Sequence, residues 1–164
     1  MKYEEFVIKF NKQVFSLAYN KQLILAVEVC KKLYLDYVAF AQKYEWGNPD
    51  ILLDAIQIAE QSKTQPADKT FIEQILKKVD EVIPDMDDFG GDILGSYALN
   101  AGVAVCETLS FLIDRNPKHI YHIGTCLTDT VDFKLQENKD LAEEQIDKNP
   151  LMIETRNFLI EQSR

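Results

Sequence analysis

Carboxylate side chains crowd one short segment of the chain and could gather oxygen ligands around a cation. This acidic turn, residues 84–92, contains four aspartates: Asp85, Asp87, Asp88 and Asp92. Ca²⁺ and Mg²⁺ prefer oxygen ligands, so the first three are candidate metal ligands. The turn departs from the EF-hand pattern, because counting from Asp85 places Phe89 at the fifth position and Ser96 at the twelfth. A solvated turn in which Asp92 caps the following helix is the alternative interpretation.

The same four aspartates are also candidate residues for binding a protein partner. From 79 to 114 the chain has eight acidic residues and no Lys, Arg or His, whereas the remainder has 19 acids and 18 bases. Almost all of the net charge of -9 therefore arises in this stretch. Charge concentrated in this way favours recognition of a cationic protein surface. Its negative sign argues against nucleic acid as a partner, because binding to phosphates requires basic residues.

A second group of potential metal ligands lies on a predicted helix after Pro117. His119, His122, Cys126 and Asp129 share one arc of that helix at about 100° per residue. The first three are residue types that bind Zn²⁺, and they form a second candidate metal set. A structural zinc site usually takes ligands from more than one element, so a polar rim contact is the alternative interpretation.

Polar residues also form a stripe along an otherwise apolar helix. They are Ser96, Asn100, Glu107, Ser110 and Asp114. A buried Glu107 carboxylate could have a raised pKa and serve in acid–base chemistry, or it could be hydrogen-bonded to neighbouring helices. The sequence contains no nucleophile elbow, and both histidines are on one helix, so no Ser-His-Asp or Cys-His arrangement is predicted. We therefore predict no catalytic residue and no cofactor.

These side chains must be positioned by helices, because apolar residues recur at helical spacing almost throughout the chain. Three Asn-Pro pairs predict helix starts, at 48–49, 116–117 and 149–150. The longest apolar helix is predicted from Ile93 to Asp114, at the centre of the bundle, because its glycines and alanines allow neighbours to approach closely. An earlier break is predicted near Asn20. The predicted fold is all-α, a single-domain bundle of about six to eight helices over residues 1–164.

Composition is typical of a globular protein, and the N-terminus and the cysteines predict a cytoplasmic location. Its 164 residues are 46% hydrophobic and 27% charged, close to the globular average. The acidic N-terminus is unlike a secretory signal, and no window has the roughly 18–20 uncharged apolar residues of a membrane span. We therefore predict no membrane association. Three cysteines at wide spacing, Cys30, Cys106 and Cys126, predict reduced core thiols.

Several of these features together resemble one protein family. They are the helix stop at 46–48, the break at 83–84 with the Asp-Asp-Phe of 87–89, the small-residue helix at 98–107 and the helix start at 149–150. This combination resembles the YjaG-like bacterial family (domain of unknown function family 416). The resemblance implies an all-helical fold and no established activity. Gene neighbourhood has suggested a link between such proteins and histidine-kinase signalling, which would suit a small interaction domain.

The predicted function is that of a non-enzymatic protein-interaction domain, with signalling as a candidate context. The motivation is the missing catalytic constellation together with the one-sided acidic segment. Two alternatives stay open: a metal-dependent or carboxylate-based enzyme that uses the acidic turn, and an immunity-type inhibitor of a basic protein. Self-association as a homodimer is also left open by the sequence.

Overall fold

A computed structural model describes residues 1–137 and 139–164, and within these residues the chain is helical and has no β-strand. The α-helices are α1 (Tyr3–Ser16), α2 (Tyr19–Tyr44), α3 (Pro49–Gln61), α4 (Lys69–Asp80), α5 (Ile93–Asp114), α6 (Pro117–Gln136), α7 (Glu143–Asp147) and α8 (Pro150–Gln162). A short 3-10 helix, Met86–Phe89, lies in the acidic turn. The prediction of an all-α, single-domain bundle of six to eight helices is confirmed.

The three Asn-Pro pairs begin α3, α6 and α8 as predicted. The side chains of Asn48, Asn116 and Asn149 each accept a hydrogen bond from the backbone N–H two residues later, at 3.0–3.1 Å. Each cap satisfies an N–H that has no partner within its own helix, and the proline occupies the first helical position, where it removes no helical hydrogen bond.

The first helix ends slightly earlier than the sequence indicated. Leu17 and Ala18 are extended, and Asn20 lies in the first turn of α2 rather than at the break. The buried Gln22 amide donates to the backbone oxygen of Val14 at 2.9 Å. This carbonyl also accepts a hydrogen bond from the Leu17 N–H at 3.2 Å, so the Gln22 side chain ties the end of α1 to the first turn of α2.

Helix α5 packs against α2, α4 and α6, which confirms its predicted central position. Its small residues allow close approach, since a Cβ added at Gly102 would lie 2.6 Å from Cγ1 of Ile83. Among the described residues, α5 is the one helix that is long enough and apolar enough to cross a membrane. Here half of its apolar window is buried against protein. The cytoplasmic location stays a prediction.

The three cysteines are free thiols, as predicted. Cys30 and Cys126 are buried, Cys106 is partly buried, and Sγ of Cys30 lies 3.2 Å from the Thr108 hydroxyl. Burial raises the pKa of each thiol to about 12. All three therefore stay protonated near neutral pH and pack as small apolar side chains.

Candidate functional site

The acidic turn is fixed to the bundle by an aromatic side chain at its centre. Phe89 packs among Phe40, Tyr44 and Trp46, with ring centroids 4.8, 5.1 and 5.3 Å away. All three contacts are edge-on, the geometry that the charge distribution of aromatic rings favours. Phe89, which follows Asp88 in the sequence, therefore anchors the acidic turn to the bundle.

Asp92 secures the other end of the turn. One carboxylate oxygen accepts a hydrogen bond from the Leu94 N–H at 3.0 Å, so Asp92 caps α5 as predicted. The other oxygen accepts hydrogen bonds from the Lys43 ammonium and the Tyr44 hydroxyl. These two partners and the Leu94 N–H lower the pKa of Asp92 to about 2. Asp92 is thus committed to internal contacts and holds the turn in place.

The other three aspartates of the turn project from its surface. Asp85, Asp87 and Asp88 are exposed, and none forms an ion pair with any described residue. Asp85 caps the 3-10 helix by accepting a hydrogen bond from the Asp87 N–H at 3.0 Å. Gly90 and Gly91, with φ of 64° and 74°, then reverse the chain in a conformation that favours glycine. The result is three carboxylates without a neutralising cation on a well-anchored turn.

Neither predicted metal set assembles in the described part of the chain. Within residues 1–137 and 139–164, no group of three or more His, Cys, Asp or Glu side chains could hold a metal ion. Cys126, from the second set, is buried in the core and carries a protonated thiol. Its two histidines face a different neighbour, a glutamate on α5.

Glu107 joins the two histidines across the α5–α6 hairpin. His119 donates from Nδ1 to Oε2 of Glu107 and from Nε2 to Oδ2 of Asp114, the latter at 3.0 Å. Nδ1 of His122 lies 3.4 Å from the other Glu107 oxygen. Both ring nitrogens of His119 can donate only when the imidazole is protonated, so the geometry selects the charged form.

The protonation of His119 follows from opposing effects. Partial burial disfavours the charged ring, but hydrogen bonds to Glu107 and Asp114 outweigh it, and the pKa of His119 is raised. For Asp114, burial opposes ionisation, but the Asn116 N–H and His119 outweigh it and lower the pKa of its carboxyl. Below the raised pKa of His119, the cluster therefore links a cation and two carboxylates, which is a stabilising arrangement.

The contact between Glu107 and the two histidines was not predicted, because they lie on two different helices. Residues 115–116 are the only ones between α5 and α6, so the two helices run antiparallel from a tight turn. Residues at similar distances before and after such a turn lie next to each other. Counting residues outward from this turn would have predicted that Glu107 lies close to His122.

Other members of the polar stripe also have partners within the bundle. The Asn100 amide donates to the Thr130 hydroxyl at 3.0 Å, which ties α5 to α6. The Ser96 hydroxyl lies 3.8 Å from Sδ of Met86 in the acidic turn. The polar stripe therefore largely forms contacts between helices. This agrees with the interpretation that Glu107 is hydrogen-bonded to a neighbouring helix.

Replacing His119 with glutamine should destabilise the protein most at acidic pH. Because the folded-state pKa of His119 is raised, its stabilising effect is complete below the ordinary value of 6.5 and is lost as pH rises through the folded value. We expect His119→Gln to lower the free energy of unfolding by about 1–2 kcal/mol at pH 6, and by less at pH 9. Urea denaturation at the two pH values measures this difference.

The matched control is His122→Gln, one turn further along α6. The His122 side chain is 52% exposed, against 20% for His119, and has one carboxylate neighbour. Its replacement should change stability by less than about 0.5 kcal/mol at either pH. Equal losses at pH 6 and pH 9 for His119→Gln would contradict the assigned charge.

Comparisons with known proteins match this fold and most of the sequence. A family model described as "Protein of unknown function (DUF416)" matches residues 9–162. The uncharacterized protein YjaG of Escherichia coli (strain K12) is 27% identical over 126 residues, and YjaG of Salmonella typhimurium (strain LT2) is 26% identical over 126. Each alignment covers 74% of this chain and 63% of the relative, so the chain spans less than two thirds of their length.

A solved structure supports the fold independently. The crystal structure of a DUF416 family protein from Shewanella baltica OS155 matches with a TM-score of 0.80 and 24% sequence identity. The match covers 94% of this chain and 83% of that chain. The helical architecture is therefore shared, and the match of the family model over residues 9–162 shows that the chain belongs to the DUF416 family.

Proposed function

We propose that this chain is a protein-interaction domain that captures a cationic partner protein through the acidic turn. The observation that carries the proposal is a set of three exposed carboxylates that form no ion pair with the described residues: Asp85, Asp87 and Asp88. Such a surface attracts a basic partner over distance and fixes its orientation on contact. The partner would supply the neutralising charges.

The anchoring of the turn supports binding rather than simple solvation. Phe89 and Asp92 fix both the middle and the end of the segment, so little further ordering is needed when a partner docks. Lower ordering costs leave more of the interaction free energy available as affinity. Exposed Asp80 and Glu81, at the end of α4, add negative charge immediately before the turn. A signalling accessory and an inhibitor of a basic protein would both use such a surface.

Affinity capture with a charge-neutralised variant tests this proposal. The bait is the chain itself, either unchanged or with Asp85→Asn, Asp87→Asn and Asp88→Asn together. Asp92 is left intact because it caps α5 and contacts Lys43. We expect a basic protein to be retained by the unchanged chain at low salt, released at high salt, and lost from the triple variant.

The matched control removes the same charge elsewhere on the surface. Asp54→Asn, Glu73→Gln and Glu161→Gln alter exposed side chains that form no ion pair with the described residues. This control should retain the partner, and all three proteins should melt at similar temperatures. Equal retention by the two triple variants, or no basic partner for the unchanged chain, would overturn the proposal.

A further inference from the structure

A second surface, formed where α8 packs beside α2, combines exposed apolar side chains with charges of both signs. We call it the α2–α8 face, and its residues are Lys32, Leu35, Leu151, Ile153, Glu154 and Phe158. Leu35, Leu151 and Ile153 are 70%, 43% and 39% exposed, and Phe158 is half-buried. Single exposed apolar residues are common, whereas several on one face are typical of an interaction surface.

A groove of about 250 Å³ crosses this face between α2, α6 and α8. Its apolar lining includes the core side chains of Leu33, Leu127 and Val131 and the exposed side chain of Leu151. Small-molecule sites usually measure about 300–1,000 Å³, so this groove is too small for most such ligands. It suits one apolar side chain presented by another protein surface.

Two charges of opposite sign flank the groove and are not neutralised. Lys32, on α2, and Glu154, on α8, both line it and are exposed, and neither forms an ion pair with a described residue. The Lys32 ammonium lies 4.5 Å from the centroid of the Phe158 ring, a contact that leaves its charge in place. Asp36 and Lys134, which also line the groove, neutralise each other at 2.8 Å.

This charge pattern favours a second copy of the chain as the occupant. A partner surface with charge of one sign would neutralise either Lys32 or Glu154 and repel the other. In a two-fold symmetric dimer the same surface of both copies meets face to face. With the symmetry axis along the groove, Lys32 of each copy faces Glu154 of the other. The same rotation brings the α8 that carries Leu151 onto the α2 that carries Leu35, which removes both leucines from water.

We propose that two copies of this chain associate through the α2–α8 face as a symmetric dimer. Two ion pairs between the copies, each joining Lys32 to Glu154, would flank an apolar centre made by the exposed leucines, Ile153 and Phe158. The inference uses none of the residues of the acidic turn. It therefore stands or falls independently of the proposed capture of a cationic protein.

Sedimentation velocity of the unchanged chain tests whether the dimer forms. We expect a species with twice the mass of the 18.9 kDa chain to predominate as the protein concentration rises through the micromolar range. A monomer at every concentration up to the millimolar range would overturn the proposal.

Charge reversals test whether this face forms the interface. Lys32→Glu and Glu154→Lys should each raise the dissociation constant of the dimer by about tenfold or more, because each places like charges opposite one another twice. A general effect of net charge would move the two variants in opposite directions, since the first adds negative charge and the second removes it. The double variant keeps the original net charge and restores opposite charges, so it should dimerise about as well as the unchanged chain. An unchanged dissociation constant in either single variant, or no recovery in the double variant, would overturn the proposal.

The apolar part of the face has its own test and control. Leu151→Gln should raise the dissociation constant by about tenfold or more, because a leucine side chain no longer leaves water when the copies meet. Ile8→Gln makes a similar change on α1, outside this face, where Ile8 is 71% exposed, and should have no effect. Thermal unfolding shows whether each variant is folded. A folded Leu151→Gln variant that dimerises as well as the unchanged chain would overturn the assignment of this face.

Discussion

Replacing Arg156 with methionine should lower the free energy of unfolding by about 3–5 kcal/mol. The substitution keeps an extended side chain of similar length but removes the charge, which leaves Asp147 without its partner. That carboxylate is only 13% exposed, so it is poorly solvated once the guanidinium is gone. The variant also loses the hydrogen bond to Met1 and the contacts of the guanidinium with the rings of Tyr3 and Phe6. Urea denaturation followed by circular dichroism measures the loss.

A double variant shows whether the unpaired carboxylate is the cause. With Asp147→Asn added to Arg156→Met, neither charge is left alone, and part of the lost stability should return. An exposed ion pair supplies the contrast: Lys148 and Glu144 lie 2.6 Å apart but are 73% and 78% exposed. Lys148→Met should change stability by less than about 1 kcal/mol. If the double variant is as unstable as Arg156→Met alone, the carboxylate is not the cause.

The contrast between these two ion pairs illustrates which features a sequence can predict. Lys148 and Glu144 are four residues apart on the chain, and an ion pair at that spacing can be predicted from the sequence. The environment of Arg156 depends on α1, α7 and α8 meeting in space. No local pattern near residue 156 indicates that the first residue of the chain will lie beside it.

At the candidate site too, contacts between residues close in the sequence could be predicted, whereas contacts between distant residues could not. The helix starts after Asn48, Asn116 and Asn149 were predictable because a cap and its N–H are two residues apart. The role of Asp92 as a cap was predictable for the same reason. Its contacts with Lys43 and Tyr44 cross almost 50 positions and could not be inferred from spacing.

On α6, helical spacing alone did not predict which residues are buried and which contact the neighbouring helix. His119, His122 and Cys126 do lie along one arc, but an arc of that width extends from the surface into the core. Cys126 falls on the buried part, and the histidines fall on the part that meets α5. Helical spacing indicates which residues share a side of a helix, whereas the neighbouring helix decides what they contact.

Replacing Gly124 with alanine should lower the free energy of unfolding by about 2 kcal/mol, although alanine is the better helix former. The added Cβ would lie 2.6 Å from Cζ of Phe10 and closer still to Cε1. That ring is fully buried and stacked on Phe6 at 5.4 Å between centroids, so it has little room to move. The helical preference gains about 1 kcal/mol, which the overlap should exceed. Thermal or urea unfolding gives the sign directly.

Two comparisons assign this loss to the Phe10 ring. Gly95→Ala makes the same change in α5, where the added Cβ would lie 3.3 Å from the flexible Met86 sulfur, so stability should stay within about 0.5 kcal/mol or rise. Phe10→Leu removes the ring atoms that obstruct the new methyl group. Combined with Gly124→Ala, it should cost less than the sum of the two single changes, because leucine leaves space that alanine partly fills. Strict additivity would show that the destabilisation arises elsewhere on α6 and not from the packing of α1 against it.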